Sequence, residues 1–370
     1  MFEELIDFQE NMLKLGIPGN DCIVYQNGKE IYRYYCGYKD KNQTQKLTGS
    51  EKYQIFSCSK LITCCAALQL WEKGMFKLDD PLYFYLPEYE HMYVKQPDNS
   101  IKKAQNHITI RHLFAMTAGF NYNLYAKSIL EVFDATNGSC PTRLVIKALA
   151  KEPLEFEPGT KWQYSLAHDV LASLVEVLSG MLFNDYVTEN IFLPLKMKDS
   201  TFTLPFSQYN TLVPLYKERQ DDSKLIDLLG MFNSGSPSYR LGPNYASGGA
   251  SCVSTVEDYN KFLQAICSGE LLLKRSTIEM LKVDQLTCEQ QKDCLAGNNY
   301  SWGLGVRCPK AGDTSITDFG WGGAGGAYYS IDLTRNVTIL YMQSVLTSSS
   351  APLRMKIRDI VQSQVGKLKK

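Results

Sequence analysis
The chain has no net charge to offer a partner: Lys+Arg and Asp+Glu both total 39, and no run of basic residues occurs. Such a balance gives no electrostatic footprint for nucleic acid, which is excluded as an expected partner. Histidine is scarce, at four residues. His91, His107 and His112 have no acidic or cysteine partners at metal-ligand spacing, so neither a metal nor a cofactor is expected. No apolar run is long enough to cross a bilayer, the longest being Leu61 to Trp71, and no membrane partner is expected. Repeats and low-complexity tracts are absent. The N-terminus lacks the pattern of a signal peptide, because Glu3, Glu4, Asp7 and Glu10 alternate with Phe2, Leu5, Ile6, Met12 and Leu13 as in an amphipathic helix. Cysteine is plentiful at 11, but the count is odd, and Cys58, Cys64 and Cys65 fall within one apolar stretch. Packing thiols in a reducing compartment are expected, hence a cytoplasmic location.

What is present is Ser57-Cys58-Ser59-Lys60. A serine hydroxyl is a poor nucleophile at neutral pH unless a neighbour takes its proton, and a partly buried lysine can help do so. After Ser57 the chain reads Leu61, Ile62, Cys64, Cys65, Ala66, Ala67, Leu68, Leu70 and Trp71 with no charge between Lys60 and Glu72, and Gly74 ends the run. This predicts a buried helix. Ser57 and Lys60 then stand one turn apart on one face, near a helix N-terminus whose free N–H groups and dipole stabilise developing negative charge. A second match to the spacing, Ser100-Ile101-Lys102-Lys103, lies among Gln96, Pro97, Asp98 and Asn99 and reads as a polar surface loop.

Phe56-Ser57-Cys58-Ser59-Lys60 is followed by Leu78-Asp79-Asp80-Pro81 and Leu86-Pro87-Glu88-Tyr89. Next come Ile108-Thr109-Ile110-Arg111-His112-Leu113, Thr117-Ala118-Gly119, Phe156-Glu157-Pro158-Gly159-Thr160 and Tyr164-Ser165-Leu166. The series ends with Ser247-Gly248-Gly249, Ser254-Thr255 and Trp321-Gly322-Gly323-Ala324-Gly325-Gly326. In this order the words resemble the serine β-lactamase and penicillin-binding-protein superfamily over nearly the whole chain. More narrowly they are similar to class C β-lactamases and to family VIII carboxylesterases. The resemblance implies that Ser57 is the nucleophile and that Lys60 and Tyr164 share the base. It also implies that the N–H groups of Ser57 and Ala324 form an oxyanion hole beside Trp321, Gly322 and Gly323.

Two departures bear on the substrate. The β-lactamase pattern has an asparagine two residues after the tyrosine, where this chain has Leu166. The third word, normally Lys-Thr-Gly or His-x-Gly, is Trp321-Gly322-Gly323, and a tryptophan offers no cation to a carboxylate. Both changes favour a small neutral acyl ester, cleaved through an acyl-enzyme on Ser57. The alternatives are an amide-directed β-lactamase, D-aminopeptidase or DD-peptidase, and a ligand-binding protein on the same scaffold. Gly322 to Gly326 lacks the Gly-Lys-Ser/Thr ending of a phosphate loop.

At 370 residues the chain has ample length for a large core. Asn27-Gly28 between Cys22–Tyr25 and Ile31–Tyr35 signals a hairpin, and a second is expected around Asp332 to Asn336. Leu353, Ile357, Ile360, Val361 and Val365 have helical spacing. The expected architecture is an α/β (α+β) β-lactamase/transpeptidase-like fold. Its antiparallel sheet domain, flanked by terminal helices, takes residues 1–75 and 241–370, and a mainly helical insertion takes residues 76–240. The resemblance implies an active-site cleft between them. Phe206 to Tyr245, with Tyr209, Leu212, Leu215, Tyr216, Leu228, Leu229, Met231, Phe232 and Tyr239, fits pocket-forming loops and fits core packing equally. Arg240 is read as an anion contact or a surface residue, and His168 as a group that tunes Tyr164 or a structural histidine.

Overall fold
The computed structural model describes residues 2–219, 224–228, 241–297, 299–346 and 348–365. Seven strands build the main sheet: β1 (Gly19–Gln26), β2 (Lys29–Gly37), β3 (Tyr300–Trp302), β4 (Arg307–Pro309), β5 (Asp318–Gly322), β6 (Tyr328–Asp332) and β7 (Val337–Met342). They are ordered β2-β1-β7-β6-β5-β4-β3, and every pairing is antiparallel. The first and last parts of the chain thus meet at the centre, where Ile23 faces Leu340 and Val24 faces Ile339. The β1–β2 turn is made by Asn27 and Gly28, both at positive φ (53° and 72°), the geometry that the Asn-Gly pair adopts at least cost.

Period-two alternation divides the side chains between two layers. Cys22, Val24, Val337, Ile339 and Tyr341 point to the face covered by the terminal helices α1 (Glu3–Lys14) and α5 (Met355–Val365), where they meet Leu5, Ile357, Ile360 and Val361. Ile23, Leu340 and Met342 point to the opposite face and join the main core. There the sheet meets α4 (Val256–Ser268) through Tyr259, Phe262, Leu263 and Ile266. Strands apolar on both faces are what a sheet covered on both sides requires.

Beyond α4 lies α2 (Ser59–Glu72), buried around nearly its whole circumference, packed against α3 (Ala167–Ser179). A helix without a polar face belongs inside a core, which explains the uncharged run read from the sequence. Shorter helices at Ile110–Phe114, Thr142–Leu149 and Phe183–Val187 surround α3. From Thr201 the chain leaves this helical layer: Thr201 bridges Val253, Leu212 bridges Lys52, and Tyr216–Glu218 runs parallel to Val345–Leu346. The Ser100–Lys103 segment, read as a loop, is corrected in part. Ile101–Lys103 forms a short exposed strand paired with Tyr93–Lys95, with Ser100 held in a turn by Asp98.

All 11 cysteines are free thiols, and among the described residues no group of His, Cys, Asp or Glu is arranged to hold a metal. No single helix among them is long and apolar enough to cross a membrane.

The helix Ile110–Phe114 begins in a capping box: Thr109 Oγ1 accepts from His112 N–H, and His112 Nδ1 accepts from Thr109 N–H at 3.2 Å. This requires a neutral ring, and burial pushes His112 down to about 4. A base whose folded value lies below its unfolded value near 6.5 binds protons more readily when unfolded. Its contribution is therefore present above about pH 6.5 and is lost as pH falls toward 4. Urea unfolding of wild type and His112→Gln across this window should give a shallower acid-side loss for the variant; parallel curves would contradict the assignment.

Candidate active site
The turn Phe56–Cys58 delivers Ser57 to the start of α2. It is fastened by Ile55 N–H to Cys252 O (3.0 Å) and by Tyr259 Oη to Cys58 O (2.8 Å). Phe56 sits at φ 47°, a left-handed conformation that costs a side-chain-bearing residue about 1–2 kcal/mol. It is held there by burial against Leu215 and Leu228. The kink presents Ser57 to a cavity of about 640 Å³.

One turn on, Lys60 is completely buried. Its Nζ donates to Ser57 Oγ at 3.2 Å and to Gly249 O at 2.7 Å. Two aromatic faces complete its surroundings, with ring centroids 4.6 Å away for Tyr164 and 5.5 Å for Tyr122. These rings stack on each other at 5.7 Å with an 8° interplanar angle. Facing a π-surface partly replaces the water a buried ammonium has given up. Asp169, also fully buried, lies on the same side of Gly249 as Lys60 Nζ, and its Oδ1 accepts from Tyr245 Oη at 2.8 Å. Burial pushes the Asp169 carboxyl up, while Ser247, the Lys60 charge and Tyr245 draw it down.

Tyr164 lies in the loop before α3, and its Oη accepts a hydrogen bond from Trp321 Nε1 at 3.0 Å. Trp321, on β5, also packs edge-on against Trp302 at 4.7 Å, which fixes the indole plane. The third-motif position therefore donates an N–H to the phenol oxygen and carries no cation. Beyond it the chain turns at Gly323–Ala327, with Gly323 N–H to Ala327 O at 2.7 Å. A Cβ on Gly323 would stand 2.3 Å from Ile55 O, so only glycine lets this turn press against the residue two before Ser57. The approach brings Ser57 and Ala324 to the same cavity. Among the described residues, Ala324 N–H has no acceptor.

Ser57, Tyr164, Trp321, Gly322, Gly323 and Ala324 line the cavity, and Lys60 lies behind Ser57. Leu166 is the correction: it is 1% exposed, precedes α3 and packs in the core, so it does not contact the cavity. His168 is buried against Cys64, with Nε2 3.9 Å from Sγ. Of the two readings left open for Phe206–Tyr245, pocket-forming loops or core packing, the described residues show packing. Tyr209 and Leu212 pack on Val253, Tyr216 on Met12 and Ile17, and Leu215 and Leu228 on Phe56. Leu229, Met231, Phe232, Tyr239 and Arg240 lie outside the described residues.

The remaining walls were missed in the sequence: Leu295–Gly297 and Asn299 of one loop, Tyr300, Arg307 and Tyr328 of the sheet, and Ala351, Pro352, Arg354 and Met355 before and at the start of α5. Tyr122 and Asp169 were missed as well. Asp169 had a signal, being the lone carboxylate in the apolar run Ala167–Val175.

Gly249 is the hinge of the Lys60 environment. A Cβ there would stand 2.7 Å from Asp169 Oδ2, 3.1 Å from Tyr122 Oη and 3.2 Å from Lys60 Nζ. Gly249→Ala is expected to cost about 1–3 kcal/mol by overpacking and to lower kcat at least about tenfold by displacing Nζ. Calorimetry with steady-state kinetics checks both, and an unchanged kcat would show that Lys60 placement is not limiting.

Similarity to known proteins extends over the whole chain. It is 25% identical over 380 residues to Esterase EstB of Burkholderia gladioli, covering 96% of this chain and 94% of that protein. Among solved structures, EstCE1, described as a hydrolase with promiscuous acyltransferase activity, superposes with a TM-score of 0.78 at 21% identity, covering 97% of both chains. Simvastatin synthase (LovD) from Aspergillus terreus gives 0.80 at 20% identity, covering 98% of both. The Beta-lactamase family model matches residues 5–362, and the chain belongs to that family.

Proposed function
We propose that the protein is a serine esterase that forms an acyl-enzyme on Ser57, and that the part of the acyl group next to the scissile carbonyl is small and uncharged. The observation that carries the reading is the 3.2 Å contact from Lys60 Nζ to Ser57 Oγ inside a site sealed from water on the lysine side. Ser57 Oγ attacks the ester carbonyl as its proton passes to the Tyr164–Lys60 pair. The developing oxyanion accepts from the N–H groups of Ser57 and Ala324. The proton then goes to the departing alcohol, and water or a second alcohol attacks the acyl-enzyme by the reverse route. Lys60 Nζ lies 4.6 Å from the centroid of the Tyr164 ring, so the two groups that share the proton are adjacent.

The preference for an ester over a β-lactam or peptide rests on Trp321. Its N–H is spent on Tyr164 Oη, and no lysine or histidine replaces it on β5 to meet a carboxylate next to the scissile amide. The names of EstB and EstCE1 support the same reading, and that of EstCE1 supports transfer to an alcohol as a side reaction.

A p-nitrophenyl ester chain-length series measured beside nitrocefin should show ester cleavage with nitrocefin nearly inert. Ser57→Ala should lower ester turnover by about 10⁴-fold or more while retaining the wild-type fold. Undiminished hydrolysis by Ser57→Ala would refute the nucleophile, and a preference for nitrocefin would refute the ester reading.

A further inference from the structure
Two guanidinium groups line the cavity wall beside the glycine turn, and they differ in one respect. Arg307 is almost fully buried and matched: Nη2 donates to Asp318 Oδ2 at 2.8 Å, and the group lies over the Tyr300 ring at 4.0 Å. Asp318 is occupied in turn by Arg358 Nε at 2.9 Å, Ser330 Oγ at 2.8 Å and Tyr300 Oη at 3.2 Å. Arg358 has a further partner in Asp359. This cluster is closed in charge, as a structural ion pair should be, although Arg307 Nε has no acceptor among the described residues.

Arg354 is not matched. Its Nε donates to Ala351 O at 3.0 Å, and Nη1 donates to Gly323 O at 2.9 Å and Ala327 O at 3.0 Å. All three acceptors are neutral carbonyls. Among the described residues, the two N–H bonds of Nη2 have no acceptor and no carboxylate lies within ion-pair distance of the group. The cavity lining contains no Asp or Glu. Burial pulls the guanidinium down from its usual range, and the groups that favour its charge are Cys58, Tyr341 and Tyr328, none of them a carboxylate. A largely buried cation without a counter-ion is costly, and a substrate anion would offset that cost.

We infer that Arg354 Nη2 receives an anionic group of the substrate, a carboxylate or phosphate carried away from the reacting carbonyl, so that the natural substrate is an anionic ester. The inference rests on the ester reading above and narrows its substrate class. The carbonyl itself still meets Trp321 and the glycines, which are uncharged. The cation that family members carry on the third-motif strand is here supplied from behind that strand, by the turn preceding α5.

The same chemistry can sit on the acyl or the alcohol side, and paired esters separate the two. On the acyl side, p-nitrophenyl hemiglutarate is compared with p-nitrophenyl valerate; on the alcohol side, 3-acetoxybenzoate is compared with 3-acetoxybenzamide. Wild type should prefer the anionic member of one pair, and Arg354→Gln should reduce that preference, the ratio of the two kcat/KM values, about tenfold. Arg354→Lys should retain part of it. A wild-type preference for the neutral member of both pairs overturns the inference. So does an equal loss on both members in Arg354→Gln, which would show that Arg354 only clamps the turn carrying Ala324. If neither ester of any pair is cleaved, the esterase reading fails. The anion site is then judged by calorimetry with glutarate against glutaramide, where equal binding overturns it.

Discussion
The site depends on the burial of one charge. Lys60 stands at the start of a helix that has no polar face, and an ammonium removed from water must find substitutes nearby. A carbonyl from Gly249, the hydroxyl of Ser57 and two stacked tyrosine faces provide them, with the buried Asp169 carboxyl group close by on the same side of Gly249. Each comes from a different part of the chain, so assembling the lysine environment brings α2, the loop before α3 and the Ser247–Gly249 segment together. The catalytic constellation follows from satisfying that charge.

The same economy explains the glycines. Gly248 lies 2.3 Å, measured to an added Cβ, from His168 O, and Gly323 equally close to Ile55 O. At both places backbone must approach backbone for the nucleophile turn to reach its neighbours. The Phe56 kink is the third such device, stabilised by apolar packing rather than by side-chain freedom. Trp321 then gives the family scaffold its own chemical character: an indole N–H on the phenol oxygen where a cation would otherwise stand.

Much of this was legible in the residues. The β1–β2 hairpin, the β6–β7 hairpin, both terminal helices and the buried α2 follow from turn chemistry and periodicity, because local pattern and tertiary burial agree there. Ser57, Lys60 and Tyr164 were readable because short words carry them. Tyr122, Asp169 and the cavity wall were not, since they converge from loops and strand ends whose neighbours are set only by the fold. Leu166 misled, and the Phe206–Tyr245 segment stayed open between pocket and core, for one physical reason: an apolar side chain near a site has the same composition whether it lines a cavity or fills the core behind it. Arg354 is the reverse case. Nothing in Pro352-Leu353-Arg354 marks a binding group, and only the missing counter-ion in three dimensions does so.

The central claim is that Ser57 carries the acyl group. Rapid acid quench during turnover of a p-nitrophenyl ester, followed by intact-mass and peptide mass spectrometry, tests it directly. The account predicts a mass increase equal to one acyl group, located on the peptide containing Ser57 and absent in Ser57→Ala. An unmodified protein during turnover, or an adduct on another residue, would contradict it.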